Sequence, residues 1–147
     1  MKAVKINSHG SKNIIKYAEI KEPVSEVDKV IIKVKAASIN HLDIWVRKGL
    51  PGVNIPLPLI LGSDASGTIV DVGRRVLDWK VGDDVVIQPG VYCGKCKYCL
   101  HGKENYCFKY SILGESENGV QAEFISLSPQ NIYRKAKHLS FIEAASM

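Results

Sequence analysis

The chain has 147 residues, a net charge of +5, and apolar and charged fractions of 46% and 24%. That size and balance describe one ordinary globular domain with a real core, and they exclude a transmembrane run, an internal repeat and a low-complexity tract. The start, Met1-Lys2-Ala3-Val4-Lys5-Ile6, has no apolar core of secretory length, so a reduced, cytoplasmic setting is expected, with no membrane partner. The positive balance raises nucleic acid as a partner, but the lysines are spread along alternating positions rather than gathered in one block. They read as a solvated face, and the same balance suits an anionic cofactor or substrate.

In chain order, residues 1–6 and Ile14 to Ile20 read as short strands around a turn at Ser8-His9-Gly10-Ser11. Val30, Ile32 and Val34 alternate with Ile31, Lys33 and Lys35, which predicts a strand with one apolar face. His41 to Lys48 reads as a short helix with Asn40 as N-cap, Asp43 in the first turn and Gly49 as the stop. Leu42, Trp45 and Val46 fall on one face of it. Pro51, Pro56 and Pro58 make Leu50 to Leu59 an extended loop that cannot join a central sheet. Gly62 and Gly67, flanking Ser63 and Asp64, suggest close backbone approach or a bulge before a strand over Thr68 to Val72. Further strands are expected at Asp84 to Gln88, Gly119 to Leu127 and Asn131 to Arg134. Many short strands punctuated by turns predict a mainly β fold, a barrel or sandwich. Ser140-Phe141-Ile142-Glu143 has the form of a capping box opening a final helix.

All four cysteines lie in one stretch, Cys93, Cys96, Cys99 and Cys107, spaced Cys-x-x-Cys-x-x-Cys-x7-Cys. Four thiolates converging tetrahedrally suit one Zn²⁺ with no open coordination position, which is a structural site. Lys95, Lys97 and Lys103 fit that reading, because a zinc with four thiolates carries net negative charge. Disulfides, an iron–sulfur cluster and free thiols are the competing readings. The first needs an oxidising compartment. The second shares the opening of the motif, but seven residues precede the fourth Cys here and Phe108 follows it.

Taken together, the strand running into Asn40-x-x-Asp43, the Pro-rich loop, Leu61-Gly62-Ser63-Asp64-Ala65-Ser66-Gly67, the turn Val81-Gly82-Asp83, the four-Cys lobe and the Leu139 to Ala145 helix start resemble a known domain. It is the N-terminal, GroES-like catalytic domain of the medium-chain dehydrogenase/reductase family, which includes zinc-type alcohol dehydrogenases and quinone reductases. The resemblance implies a distorted β-barrel over residues 1–138, with residues 139–147 leading into a Rossmann domain that holds most of the NAD or NADP. No Gly-x-Gly-x-x-Gly run occurs within the 147 residues. It further implies an NAD(P)-dependent oxidoreductase acting on a small carbonyl, quinone or alcohol, homo-oligomeric when full length, the domain alone being inactive.

In the alcohol dehydrogenase branch a catalytic zinc is held by a Cys where Asn40 stands and by a His where Ser63 stands, with Asp64 in place of a Glu. Neither amide nor hydroxyl is a usual zinc ligand. The run Asn40 to Gly49 instead resembles the zinc-free quinone reductases, which generally lack the Cys lobe. The site residues implied are Asn40, His41 and Asp64 for catalysis and His41 for the cofactor. Asn40 either faces the nicotinamide or substrate, or merely caps its helix. His41 either reaches a phosphate or relays a proton, or is simply solvated. Asp43 is assigned to the helix N-terminus. Asp64 is either a supporting carboxylate or an acceptor within its own loop. Two other functions compete: a true zinc alcohol dehydrogenase with an altered second site, in which Asp64 and His41 are the local substitute ligands, and a zinc-ribbon module for nucleic acid. A stand-alone structural domain is the remaining possibility.

Overall fold

A computed structural model describes residues 1–147. In chain order its strands are β1 (Lys2–Ile6), β2 (Lys16–Glu19) and β3 (Val30–Ala37), followed by helix α1 (His41–Lys48). Then come β4 (Leu59–Ile60), β5 (Ala65–Val72), β6 (Asp84–Ile87) and β7 (Gly90–Val91), the short helix α2 (Lys97–Leu100), β8 (Ser111–Ile112), β9 (Phe124–Leu127), β10 (Ile132–Arg134) and α3 (Phe141–Ala145). The five-stranded sheet β10-β6-β5-β3-β9 is antiparallel throughout, and β2-β1-β4 forms a second sheet. Residues 119–123 stitch the two together. Val4 N–H donates to Gln121 O at 2.8 Å and Glu123 N–H to Lys2 O at 3.1 Å, while Val34 N–H reaches Glu123 O at 3.0 Å. These bonds take backbone groups of β1 and β3 that their neighbouring strands leave unpaired, and so join the two sheets.

The alternation in β3 is realised: Val30 and Ile32 are fully buried, and Lys33 and Lys35 are exposed. They belong to an eleven-residue core with Ile69 from β5 and Val85 and Ile87 from β6. A second cluster, Ile6, Val46, Ile55, Leu59 and Leu61, seats α1 on the β1 sheet. Three expected strands are shorter than their apolar patterns. Residues 12–14 form a 3-10 turn ahead of β2, and the segment before Phe124 is irregular because it spends its backbone groups on Lys2, Val4, Leu61 and Gly62. Asn131 ends another short 3-10 turn rather than starting β10. The Pro-rich loop remains a loop, and only Leu59 and Ile60 at its end pair, with β1. Gly67 lies inside β5, beside a register shift at Val34/Ala36, where a Cβ would meet the Lys33 carbonyl. Both halves of the close-approach expectation are met there.

Helix α3 is docked. Ala144 and Ala145 are buried, and the Ser66 hydroxyl donates to Phe141 O at 2.6 Å. Its capping box is complete, with Ser140 N–H donating to Glu143 Oε2 at 2.8 Å and Glu143 N–H to Ser140 Oγ at 3.2 Å. No helix is long and apolar enough to cross a membrane.

Gly62 and Gly119 set the height of the loop that carries Ser63 and Asp64. Gly62 has φ +93°, and a Cβ on Gly119 would run into the carbonyl oxygens of Gly62 and Leu61. Gly119→Ala is therefore expected to cost about 2–3 kcal/mol, since backbone rather than a flexible side chain must give way. Urea denaturation measures the cost; a loss under about 0.5 kcal/mol would show that the loop yields freely.

Candidate functional site

Helix α1 presents its N-terminus to the Gly62 to Asp64 loop. Asn40 is the N-cap, as expected, and forms a capping box with Asp43. Asp43 does more than close the box: its Oδ2 accepts Asn40 N–H at 2.7 Å, and its Oδ1 accepts Gly62 N–H at 3.0 Å. Asp43 is buried and thereby bolts the helix start to the loop. The Asn40 side chain also donates from Nδ2 to Asp64 Oδ2. An ionised carboxylate only accepts, so the amide must turn its NH₂ group toward Asp64. That leaves Asn40 one side-chain N–H for a ligand. Asp64 thus bonds across to the helix rather than within its own loop; its backbone carbonyl accepts Ser38 N–H at 3.0 Å.

Ser63 is buried and points away from this pair, donating its hydroxyl to Leu113 O at 2.9 Å. His41 is exposed, its ring centroid 5.1 Å from that of Trp45. Trp45 does not share the core with Val46 as the helical face suggested, being 50% exposed. The seat on the β1 sheet is filled by Val46 and the partly buried Leu42 and Leu50. The structure therefore brings Asn40 and Asp64 together and leaves His41 beside them on the surface.

The four cysteine sulfurs lie within 4.8 Å of one another, and they form the one group of three or more His, Cys, Asp or Glu ligands so placed. Cys96 and Cys99 Sγ are 3.5 Å apart, and Cys93 and Cys99 Sγ 3.9 Å. A tetrahedron with metal–sulfur bonds of about 2.3 Å has edges of about 3.8 Å, so the cluster fits a zinc ion. None of the four is in a disulfide. The N–H groups of Lys95 and Cys96 pull the Cys93 thiol down to about 6, and that of Cys99 lowers Cys96. Burial and the Cys96 and Cys107 sulfurs push Cys99 up to about 12. Without metal the cluster thus keeps a proton that metal binding displaces.

Two residues that carried no weight in the sequence hold the lobe to the barrel. Buried Asn131 donates from Nδ2 to Gly90 O at 2.8 Å and to Gln88 O at 3.2 Å, and Gln130 Nε2 donates to Tyr92 O at 2.5 Å. The only signal for them is a polar Gln-Asn pair behind Pro129, between two apolar strands.

With this geometry in hand, the comparison with known proteins is direct. The family model described as the alcohol dehydrogenase GroES-like domain matches residues 26–137. The chain belongs to this family. The GroES-like domain is 35% identical over 136 residues to an alcohol dehydrogenase of Geobacillus stearothermophilus, covering 91% of the chain and 40% of that protein. It superposes on a crystal structure of an NAD-dependent alcohol dehydrogenase with TM-score 0.95 and 43% identity, covering all of this chain and 43% of that one. A quinone oxidoreductase from Coxiella burnetii gives TM-score 0.76 and 29% identity, covering all of this chain and 40% of that one. The chain thus spans about two fifths of the length of these relatives, and it carries the GroES-like domain of the medium-chain dehydrogenase/reductase family.

Proposed function

We propose that the chain is the N-terminal domain, over residues 1–138, of an NAD(P)-dependent oxidoreductase that acts on a small alcohol, carbonyl or quinone compound without a conventional catalytic zinc. The observation that carries the reading is the Asn40–Asp64 hydrogen bond beside an inward-turned Ser63. These are the positions where the alcohol dehydrogenase branch is expected to place its metal ligands. An amide tied to a carboxylate and a hydroxyl spent on a carbonyl offer Zn²⁺ no thiolate or imidazole. In this reading residues 139–147 lead toward a cofactor-binding domain; the chain spans about two fifths of the relatives' length.

In this site Asn40 keeps one N–H to donate to a substrate oxygen as negative charge develops there. Asp64 holds the amide in that orientation. His41 is exposed at the same helix end; in this reading it meets a cofactor phosphate or passes a proton to solvent. A bound nicotinamide cofactor supplies or accepts the hydride. Cys93, Cys96, Cys99 and Cys107 hold one structural zinc, which cross-links the lobe and has no open position.

The second reading, a zinc alcohol dehydrogenase with an altered site, is favoured by the names of the first relatives. Metal analysis separates the two. One tightly held zinc per chain is expected, unchanged in Asn40→Ala; a second zinc, lost in Asp64→Ala together with activity, would overturn the zinc-free site. The 147-residue chain alone is expected to show no NADPH oxidation.

A further inference from the structure

A cluster of positive charge lies at the other end of α1. Gly10, Ser11, Lys12, Arg47 and Lys48 line one crevice of about 420 Å³, with three cations and no acid among them. None of the three cations is in an ion pair; the pairs present join Lys29 to Glu26, Arg134 to Asp83 and the N-terminal amino group to Glu22. Gathering like charges raises the energy of the folded state unless a counter-charge offsets it. The carbonyl end of α1 offsets part of this for Arg47 and Lys48, which occupy its last turn. It does not account for Lys12, which arrives from the loop after β1.

Arg47 is what makes the crevice a preformed site. Its Nη1 donates to Gly10 O, and Gly10 N–H donates back to Arg47 O at 2.9 Å. The guanidinium is held half-buried beside the 10–12 loop, with further N–H donors to spare. Its side-chain freedom is already lost on folding, so a ligand need not order it again.

We propose that this crevice binds a phosphoryl group, with Arg47 as the fixed fork, Lys12 and Lys48 as flanking ammonium groups and the Ser11 hydroxyl as a further donor. A phosphoryl group offers three oxygens and up to two negative charges, which a fork flanked by two ammonium groups matches better than it matches a carboxylate. The site is separate from Asn40, since the eight residues of α1 span about 12 Å between them. It stands independently of the hydride-transfer reading.

Nitrogen-15 NMR of the zinc-loaded chain tests it, with inorganic phosphate titrated against chloride at constant ionic strength. Saturable shifts are expected at the amides of Gly10, Ser11, Lys12, Arg47 and Lys48, without comparable shifts at Lys95, Lys97 and Lys103 of the Cys lobe. The Lys12→Gln/Lys48→Gln variant leaves the Arg47–Gly10 bond intact and is expected to bind about tenfold more weakly or worse. Glycerol 1-phosphate in the same titration distinguishes sources. Equal or tighter binding supports the phosphoryl group of a larger ligand, and binding of inorganic phosphate alone supports free phosphate. Shifts that fail to saturate, that spread evenly over the surface lysines, or that persist unchanged in the double variant overturn the site.

Discussion

Asp43→Ala is expected to destabilise the domain by about 3–5 kcal/mol, the largest single-residue effect outside the Cys lobe. Its carboxylate is 6% exposed and accepts two backbone N–H groups, those of Asn40 and Gly62. Alanine leaves both donors without a partner, and each such loss costs about 1–3 kcal/mol. A void and the lost charge at the helix N-terminus add to this. Asp43→Asn keeps one carbonyl acceptor and sets an NH₂ against the other donor, so a smaller loss of about 2 kcal/mol is expected. Urea unfolding followed by circular dichroism reads both variants. A loss below about 1 kcal/mol for alanine would mean that water replaces the carboxylate without cost. The same substitution should also release the Asn40–Asp64 pair, because Asp43 sets the spacing of both arms.

Removal of zinc is expected to melt the lobe and spare the barrel. Residues 93–110 contain only the single-turn α2 and a 3-10 turn, and the lobe meets the barrel through the two-residue strands β7 and β8 and the Asn131 and Gln130 hydrogen bonds. No residue of this stretch other than Cys107 is buried. A segment with so little apolar burial owes its order to the ion. Under a strong chelator, amide exchange across 93–110 should accelerate about 100-fold or more, while Val30, Ile32 and Ile69 keep their protection. Cys107→Ser should reproduce the result without chelator. Undiminished protection of the lobe in the metal-free chain would assign its order to the Asn131 latch instead.

These two results concern residues that local sequence exposed unequally. The cysteine spacing announced its chemistry because a metal site is built from a rare residue type at short separations, and the sulfurs do converge. The α1 boundaries were equally legible, since Gly49 and the first-turn Asp43 act locally; the helix runs from His41 to Lys48 as expected. The direction of the Asn40 side chain was not legible. An amide can cap its helix with the oxygen and still donate across a loop, and the partner that took the NH₂ group, Asp64, lies twenty-four residues away. Trp45 was misjudged for the same reason: helical periodicity assigned it to the apolar face, whereas the residues that pack on the neighbouring sheet are Val46, Leu42 and Leu50.

By itself, then, the order of residues determined the class of fold, the metal-binding cysteines and the family, because each rests on patterns within a few residues or on segments in a particular sequence order. Only the tertiary structure decided which partners the polar groups took. It turned Ser63 toward Leu113, Asn40 toward Asp64 and Asp43 toward Gly62, and it gathered Lys12 with Arg47 and Lys48. A buried or half-buried polar group takes whatever complementary atom the packing brings within about 3 Å, and packing depends on contacts between distant segments that no local pattern encodes.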